Sequence, residues 1–590
     1  MARWVDPTET DLYYAGNRPA ILGSRGMVAS GHCVASLTGM SILENGGNAV
    51  DAAVAAGLCL NVLQPNATSI AGVAPIMIYS RNADEVVTID GLGRWPQEAS
   101  IAFFEEKCGD DMPPGILRSV VPAAADAWIT ALERYGSMTF GQVAAHALEL
   151  AREGFPVCRY LYRSILGELP DYRRWPSTAA VLLSDGNAPA FGSILVQSDL
   201  AATLKRMISA EDHVQSSGRL AGLSAARDEF YQGETAQRMI SFARAEGGLL
   251  QASDLKAFRV RIERPQRTSY RGYQVFSCGP WCQGPVLLQT LNILEGYDIS
   301  ALDHNGPHYL HLLIESLKLA FADREAFYGD PEFIDVPMEG LLSKEYATER
   351  RRLIHNSRAT PGMPSPGHPH DHRRGASAGL SEQEFEHRTG PRSPEEDTSF
   401  VCVVDRWGNA AAATPSDGAA SSPFVPGVGC VISSRGSQSW LERGHPSALA
   451  PGKRPRLTPC PAMVFEGDRL FLVFGTPGGD IQPQAMLQVL VNVIDFGVEV
   501  QTALEMDRAH TCSFPDSFWP HNSMPGHVGL EAGLVSKAAN TLSLFGHDVQ
   551  RLSPWERHQL SSVCAIQVRG DRSILIGAAD NRRESYAVGW

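Results

Sequence analysis

The feature that most restricts how this chain can fold is an abrupt change of texture at residue 398. Upstream, residues 355–396 include the run ATPGMPSPGHPHDHRRGASAGL, rich in chain breakers and almost free of apolar side chains. Such a segment buries too little surface to offset its ordering entropy, so a mobile linker is expected over 355–397. His368, His370 and His372 within it read as part of a solvated loop. Directly afterwards Phe400-Val-Cys-Val-Val404 is apolar without alternation, which predicts a strand buried on both faces. Asp405-Arg-Trp-Gly-Asn409 is a turn, and Ala410–Thr414 returns as a second strand. A long structureless loop inside a compact protein usually has a purpose. Here it delivers Thr398 to the mouth of a buried hairpin.

The rest of the chain is legible as alternating helices and strands. Ser36 to Leu63 predicts two helices broken at Glu44–Asn48, the second almost wholly apolar and therefore buried. Strands are predicted at Ile76–Tyr79, Glu85–Ile89 and Gln274–Ser277, with mainly helical patterns over 122–260 and a helix at Pro307–Phe327. After residue 414 come a hairpin at Met463–Phe465 and Leu470–Phe474, a helix at Pro483–Phe496, a helix at Ala532–Phe545, and a hairpin at Cys564–Val568 and Ile574–Ile576. At 590 residues the length alone suggests about four domains.

Charge and thiols exclude several classes. A net charge of -14 disfavours nucleic acid and anionic membrane surfaces as partners. The 11 cysteines are an odd and dispersed set, which reads as reduced core thiols. The N-terminal region has no apolar signal core and the longest apolar stretch, Ala52–Leu63, is too short to span a bilayer, so a cytoplasmic protein is expected. No metal or cofactor site stands out.

A cut between Asp397 and Thr398 would give a threonine with a free α-amine of pKa near 7.7–8.0. Such a residue carries a hydroxyl nucleophile and its own base, which suits acyl transfer. On composition alone the plainer reading, that Thr398 merely opens a strand, wins. Gly478 and Gly479 precede a helix, so their N–H groups are placed to stabilise a developing oxyanion, or simply to make a strand-to-helix turn.

Longer motifs decide between these readings. DTSFVCVVDRWGNAAAATPSDG, with its Val403-Val-Asp-x-x-Gly-Asn409 anchor, resembles the start of the light chain in the γ-glutamyltransferase family. Lys453-Arg-Pro455 before Thr458, and Gly475-Thr-Pro-Gly-Gly479, agree in order and spacing, and GMVASGHCVASLTGMSILENGGNAVDAAVAAGLCLNVLQP resembles the heavy-chain start. The resemblance runs from about Arg25 to Tyr586. It implies an N-terminal-nucleophile hydrolase of α+β class with a four-layer αββα sandwich, formed as one domain by a heavy chain 1–397 and a light chain 398–590. It also implies self-cleavage before Thr398, Thr398 as nucleophile, Ser416 as the hydroxyl that supports it, and Gly478 and Gly479 as the oxyanion donors.

The departures concern the substrate. Relatives grip a γ-glutamyl head with an Arg, an Asp, an Asn and a Ser-Ser pair. Here those positions fall on Ile101, Gln438, Gly418 and Leu457-Thr458. Losing such charge-assisted bonds removes roughly 1.5–3 kcal/mol each. Arg94 in Gly91-Leu-Gly-Arg-Trp-Pro96 resembles the acylase and amidase branch, and is expected either to bind a substrate carboxylate or to form a structural ion pair; Arg435 is a second candidate ligand. The expectation is a cofactor-free hydrolase of a small amide, acidic and not γ-glutamyl. The alternatives are a γ-glutamyltranspeptidase or glutathione hydrolase, and an unprocessed ligand-binding homologue without catalysis.

Overall fold

Along the strand Val401–Asp405 successive side chains enter different cores. Val401 and Val403 join a cluster with the helices Ala49–Leu63, Ala124–Tyr135 and Phe140–Glu153. Cys402 and Val404 join a second cluster built almost wholly from strands. The strand Ala462–Glu466 behaves the same way: Met463 and Phe465 share the strand-built cluster, while Ala462 and Val464 face the helices Gly284–Leu294, Pro307–Phe327 and Gln482–Ile494. Burial on both faces explains the unbroken apolar runs in the sequence.

The computed structural model describes residues 17–372, 388–391, 398–554, 556, 561–570 and 574–590. One seven-stranded antiparallel sheet runs, in spatial order, Ile21–Gly23, Ile574–Ala579, Cys564–Arg569, Arg469–Gly475, Ala462–Glu466, Tyr273–Ser277, Gln266–Tyr270. The other runs Tyr586–Gly589, Gly26–Ser30, Val401–Asp405, Ala410–Ala413, Ile76–Ser80, Glu85–Ile89, Ile262–Glu263. The two sheets face each other through the strand-built core, and each carries helices on its outer face. The fold is the α+β, four-layer αββα sandwich expected. Strands from before and after residue 398 are mixed within both sheets, so the main cores are built from both parts.

The turn at Asp405–Asn409 sets the register of the central hairpin. Asp405 Oδ1 accepts the Trp407 and Asn409 amides, both at 2.9 Å, and Asp405 Oδ2 accepts the Ala49 amide at 3.0 Å. That last bond docks the turn on the start of the buried helix, whose own N-terminus is closed by the reciprocal Asn48–Asp51 capping box, worth about 1 kcal/mol. With the turn fixed, Val401 pairs with Ala413 and Val403 with Ala411. The same register continued outward sets Thr398 opposite Ser416. A one-residue slip would exchange the inner and outer faces of the strand, so the register is held strongly.

The predicted helices and strands named above are present with ends shifted by a few residues. The expected linker is different in its first half. Residues 355–372 are packed, because polar groups satisfy the backbone where apolar contacts are lacking: the Thr360 amide donates to Glu315 Oε2 at 2.9 Å, and the Gly367 amide to Asp323 Oδ1 at 3.0 Å. His372 Nε2 lies 3.1 Å from Glu349. The rest of that expected linker lies largely outside the described residues. Among the described residues no helix is long and apolar enough to cross a membrane.

Candidate active site

Thr398 and Ser416 are buried side by side, with their hydroxyl oxygens 2.6 Å apart. Arg435, fully buried on the short helix Arg435–Gln438, donates from Nη2 to Ser416 Oγ. Ser416 therefore accepts a charge-assisted bond while its own proton remains available for Thr398 Oγ1. That arrangement can stabilise negative charge as it develops on the threonine oxygen. Asp417 balances the guanidinium: its Oδ1 lies 3.5 Å from Arg435 Nε. Burial pushes the Asp417 carboxyl upward, while Arg435 and bonds from Ser433 and Ser434 oppose that shift. Asp417 is held at a φ of 97°, in the left-handed region, which aims its carboxylate at Arg435 rather than along the strand. The Arg435 guanidinium also lies over the Phe518 ring, 5.2 Å from its centre.

A chain of contacts leads from there to the glycine turn. Gln438, at the other end of the short helix, reaches Thr458 Oγ1 at 3.4 Å, a weak bond. Gln283 Nε2 donates to both the Thr458 carbonyl (3.2 Å) and the Gly479 carbonyl (2.7 Å). Gly478 and Gly479 have φ of 119° and 53°, a pair that side chains with a Cβ rarely adopt. Asp480, the next residue, is fixed by Arg324 and by the Ser517 amide at 2.8 Å. The turn is thus clamped by a fully buried ion pair, as a preorganised donor site requires. Thr398, Ser416, Arg435, Gln438, Thr458, Gly478 and Gly479 form one connected assembly. Asp397 lies outside the described residues.

Arg94 is placed elsewhere. Its guanidinium pairs with Glu332 at 2.9 Å, and Glu332 also holds Arg261. It lines a cavity of about 610 Å³ with Arg259 and Arg261, to which none of the Thr398 assembly contributes.

The positions aligned above with the glutamyl ligands of relatives are closely packed. Ile101 is buried in an apolar cluster with Trp95, Phe104, Met112 and Trp519. This cluster adjoins the short helix: Trp95 packs where a Cβ on Gly436 would sit, and its Nε1 donates to Ser439 Oγ at 2.9 Å. A Cβ on Gly418 would lie 2.2 Å from the Asn66 carbonyl oxygen, so this backbone does not admit an Asn there. Leu457 is buried in the outer core.

Asp417, Phe518, Gln283 and the Arg324–Asp480 pair were not singled out by sequence reasoning. The Asp417-Gly418 and Gly479-Asp480 dipeptides, directly beside named site residues, carried the available signal.

Comparisons with known proteins agree with the geometry. The family model for γ-glutamyltranspeptidase matches residues 35–590. The chain is 34% identical over 544 residues to the acylase ACY 1 proenzyme of Pseudomonas sp. (strain SE83), covering 90% of this chain and 88% of that protein. It is 31% identical over 578 residues to the glutathione hydrolase-like YwrD proenzyme of Bacillus subtilis (strain 168), covering 97% and 99%. The crystal structure of the cephalosporin acylase from Bacillus halodurans superposes with a TM-score of 0.83 at 28% identity, over 99% of both chains. With a buried hydroxyl pair at the head of a registered hairpin and matches along nearly its whole length, the chain belongs to the γ-glutamyltranspeptidase family.

Proposed function

We propose that this protein is a self-processing amide hydrolase of the acylase or amidohydrolase kind. It cleaves itself between Asp397 and Thr398 into a heavy chain 1–397 and a light chain 398–590. The freed Thr398 amine then takes the proton of its own hydroxyl, the oxygen attacks the substrate's amide carbonyl, and the amine leaves with a proton. Water hydrolyses the resulting ester and regenerates Thr398. Ser416, polarised by Arg435, supports the threonine oxygen, and the Gly478 and Gly479 amides hold the carbonyl oxygen. The observation that carries this reading is the 2.6 Å contact between Thr398 and Ser416, backed by a buried guanidinium.

The substrate is a small acidic amide without a γ-glutamyl head. The buried Ile101, the closed space at Gly418 and the apolar Leu457 support that choice. Arg435 is the cation nearest the reacting hydroxyls, and Gln438 and Thr458 supply neutral polar contacts beside it. The protein acts in the cytoplasm, and its eleven unpaired thiols suit a reducing compartment. A denaturing gel with N-terminal sequencing tests processing: two bands are expected, one beginning at Thr398. An N-acyl amide panel against γ-glutamyl-p-nitroanilide tests specificity, and efficient turnover of the latter would overturn the substrate reading. The glutathione hydrolase alternative is favoured by the likeness to YwrD, and transfer to glycylglycine would reveal it.

A further inference from the structure

Away from the threonine, a small third sheet brings three metal-binding side chains to one face. The strand Ala509–Thr511 pairs antiparallel with His527–Leu530, which sets His510 opposite Gly529. Alternation puts Cys512 on the face of His510, and puts His527 on the face of Gly529. All four positions therefore share one side. The His510 ring lies over Gly529, where a Cβ would come within 2.1 Å of it. Glycine there lets the ring fold across the strand toward its neighbours. The two imidazole rings are 5.3 Å apart, and one ligand atom from each of His510, Cys512 and His527 lies within 4.8 Å of the others. All three residues are 5% exposed or less. His510 Nδ1 is buried and hydrogen-bonds no group among the described residues. The Glu556 carboxyl stands in the field of both imidazoles.

We propose that His510, Cys512 and His527 bind a divalent transition-metal ion of the zinc class. One thiolate and two imidazoles are a borderline-soft set that suits Zn²⁺ and not Ca²⁺ or Mg²⁺. Metal–ligand bonds of about 2.0–2.3 Å place tetrahedral ligand atoms roughly 3.5 Å apart, so a small inward rotation of the side chains closes the cage. A second buried group, His311, Glu315 and His547, is unlike it. There His311 Nδ1 bonds His547 Nε2 at 2.8 Å, His311 Nε2 bonds the His355 carbonyl at 2.7 Å, and Glu315 holds Lys318 at 2.8 Å. Those atoms already satisfy one another.

The site's position gives it a structural task. Cys512 and His527 are the two ends of a loop, joined at its base by the Met524 amide donating to the Cys512 carbonyl at 3.0 Å. Further along the loop, Ser517 binds Asp480 and Phe518 packs on Arg435. Gln484 and Gln488, on the helix that follows the glycine turn, hold the strand bearing His510. A bound ion thus ties the base of the loop whose Ser517 and Phe518 contact Asp480 and Arg435.

The test uses the full-length protein, stripped with a chelator and titrated with Co²⁺. One ion per chain is expected, with the d–d bands of a tetrahedral site and a thiolate charge-transfer band, both displaced by Zn²⁺. Cys512→Ser removes the charge-transfer band, and His510→Gln lowers affinity by more than the roughly 10–100-fold typical of an outer-shell change. X-ray absorption of the Zn²⁺-loaded parent should show one sulfur and at least two nitrogen neighbours, a readout that needs no variant to fold. Absence of a stoichiometric ion in the parent, a shell without sulfur, or a charge-transfer band that survives Cys512→Ser would each overturn the proposal.

Discussion

Two neighbouring regions of this molecule have been built on opposite principles. Around Thr398 buried polar groups answer one another in a chain: Ser416 is met by Arg435, Arg435 by Asp417, and Asp417 by Ser433 and Ser434. A few residues away, around Ile101, the wall is apolar and holds Trp95, Phe104 and Trp519. A family that binds a zwitterionic head needs charge in both places. Here charge lies beside the Thr398 and Ser416 hydroxyls, while apolar packing fills the region around Ile101. The two regions rest on different side chains and meet at the short helix Arg435–Gln438, where Trp95 packs against Gly436.

The largest expected effect lies in the polar region. Thr398→Ala should leave a single uncut chain and lower amide turnover by at least roughly 10⁴-fold, as loss of a nucleophile does. A normally cleaved and active variant, seen on a gel and in a turnover assay, would break the comparison outright. Next, Arg435→Met strands Asp417 as a buried charge, so urea unfolding should show a loss of about 3–5 kcal/mol. Adding Asp417→Asn should recover most of it, since the cost comes from the unpaired carboxylate.

The boundary between the two regions should respond to pH. Trp440 is stacked between His445 and His521, each 4.1 Å away. Burial lowers the His521 pKa to about 4 and that of His445 to about 3, so both rings are neutral in the fold. Below the unfolded value near 6.5 the unfolded chain binds protons that the native state refuses, so stability falls as pH drops from about 6.5 to about 4 for His521 and to about 3 for His445. His521 contributes about 3 kcal/mol to that fall, and His521→Gln should flatten the pH dependence of the urea midpoint by this share. The smallest effect is expected at the apolar wall. Ile101→Arg restores one missing charge but not its partners, so γ-glutamyl-p-nitroanilide turnover should stay within about threefold of the parent, under 1 kcal/mol of transition-state binding. A gain beyond tenfold would show that one side chain, not the whole wall, sets specificity.

Legibility in the sequence followed the range of the interactions. The Asp405–Asn409 turn closes on itself within five residues, so its motif was readable. The hairpin register and the pairing of Thr398 with Ser416 follow from it. The helix Ala49–Leu63 was readable as buried because it is apolar on every side. Arg94 was not decidable, since its partner Glu332 is remote in the chain. The packing of 355–372 was missed because polar bonds to Glu315 and Asp323, not apolar content, hold it in place.

The sequence by itself determined the layered sandwich, the strand that follows Thr398 and the turn that registers it. Local hydrogen bonds and two-faced burial are written into adjacent residues. Only the tertiary structure decided that Arg435 serves Ser416, that Gln283 links Thr458 to Gly479, and that His510 and Cys512 meet His527. Each of those contacts joins separate segments, and their distances are fixed by how sheets, helices and loops pack rather than by any spacing along the chain.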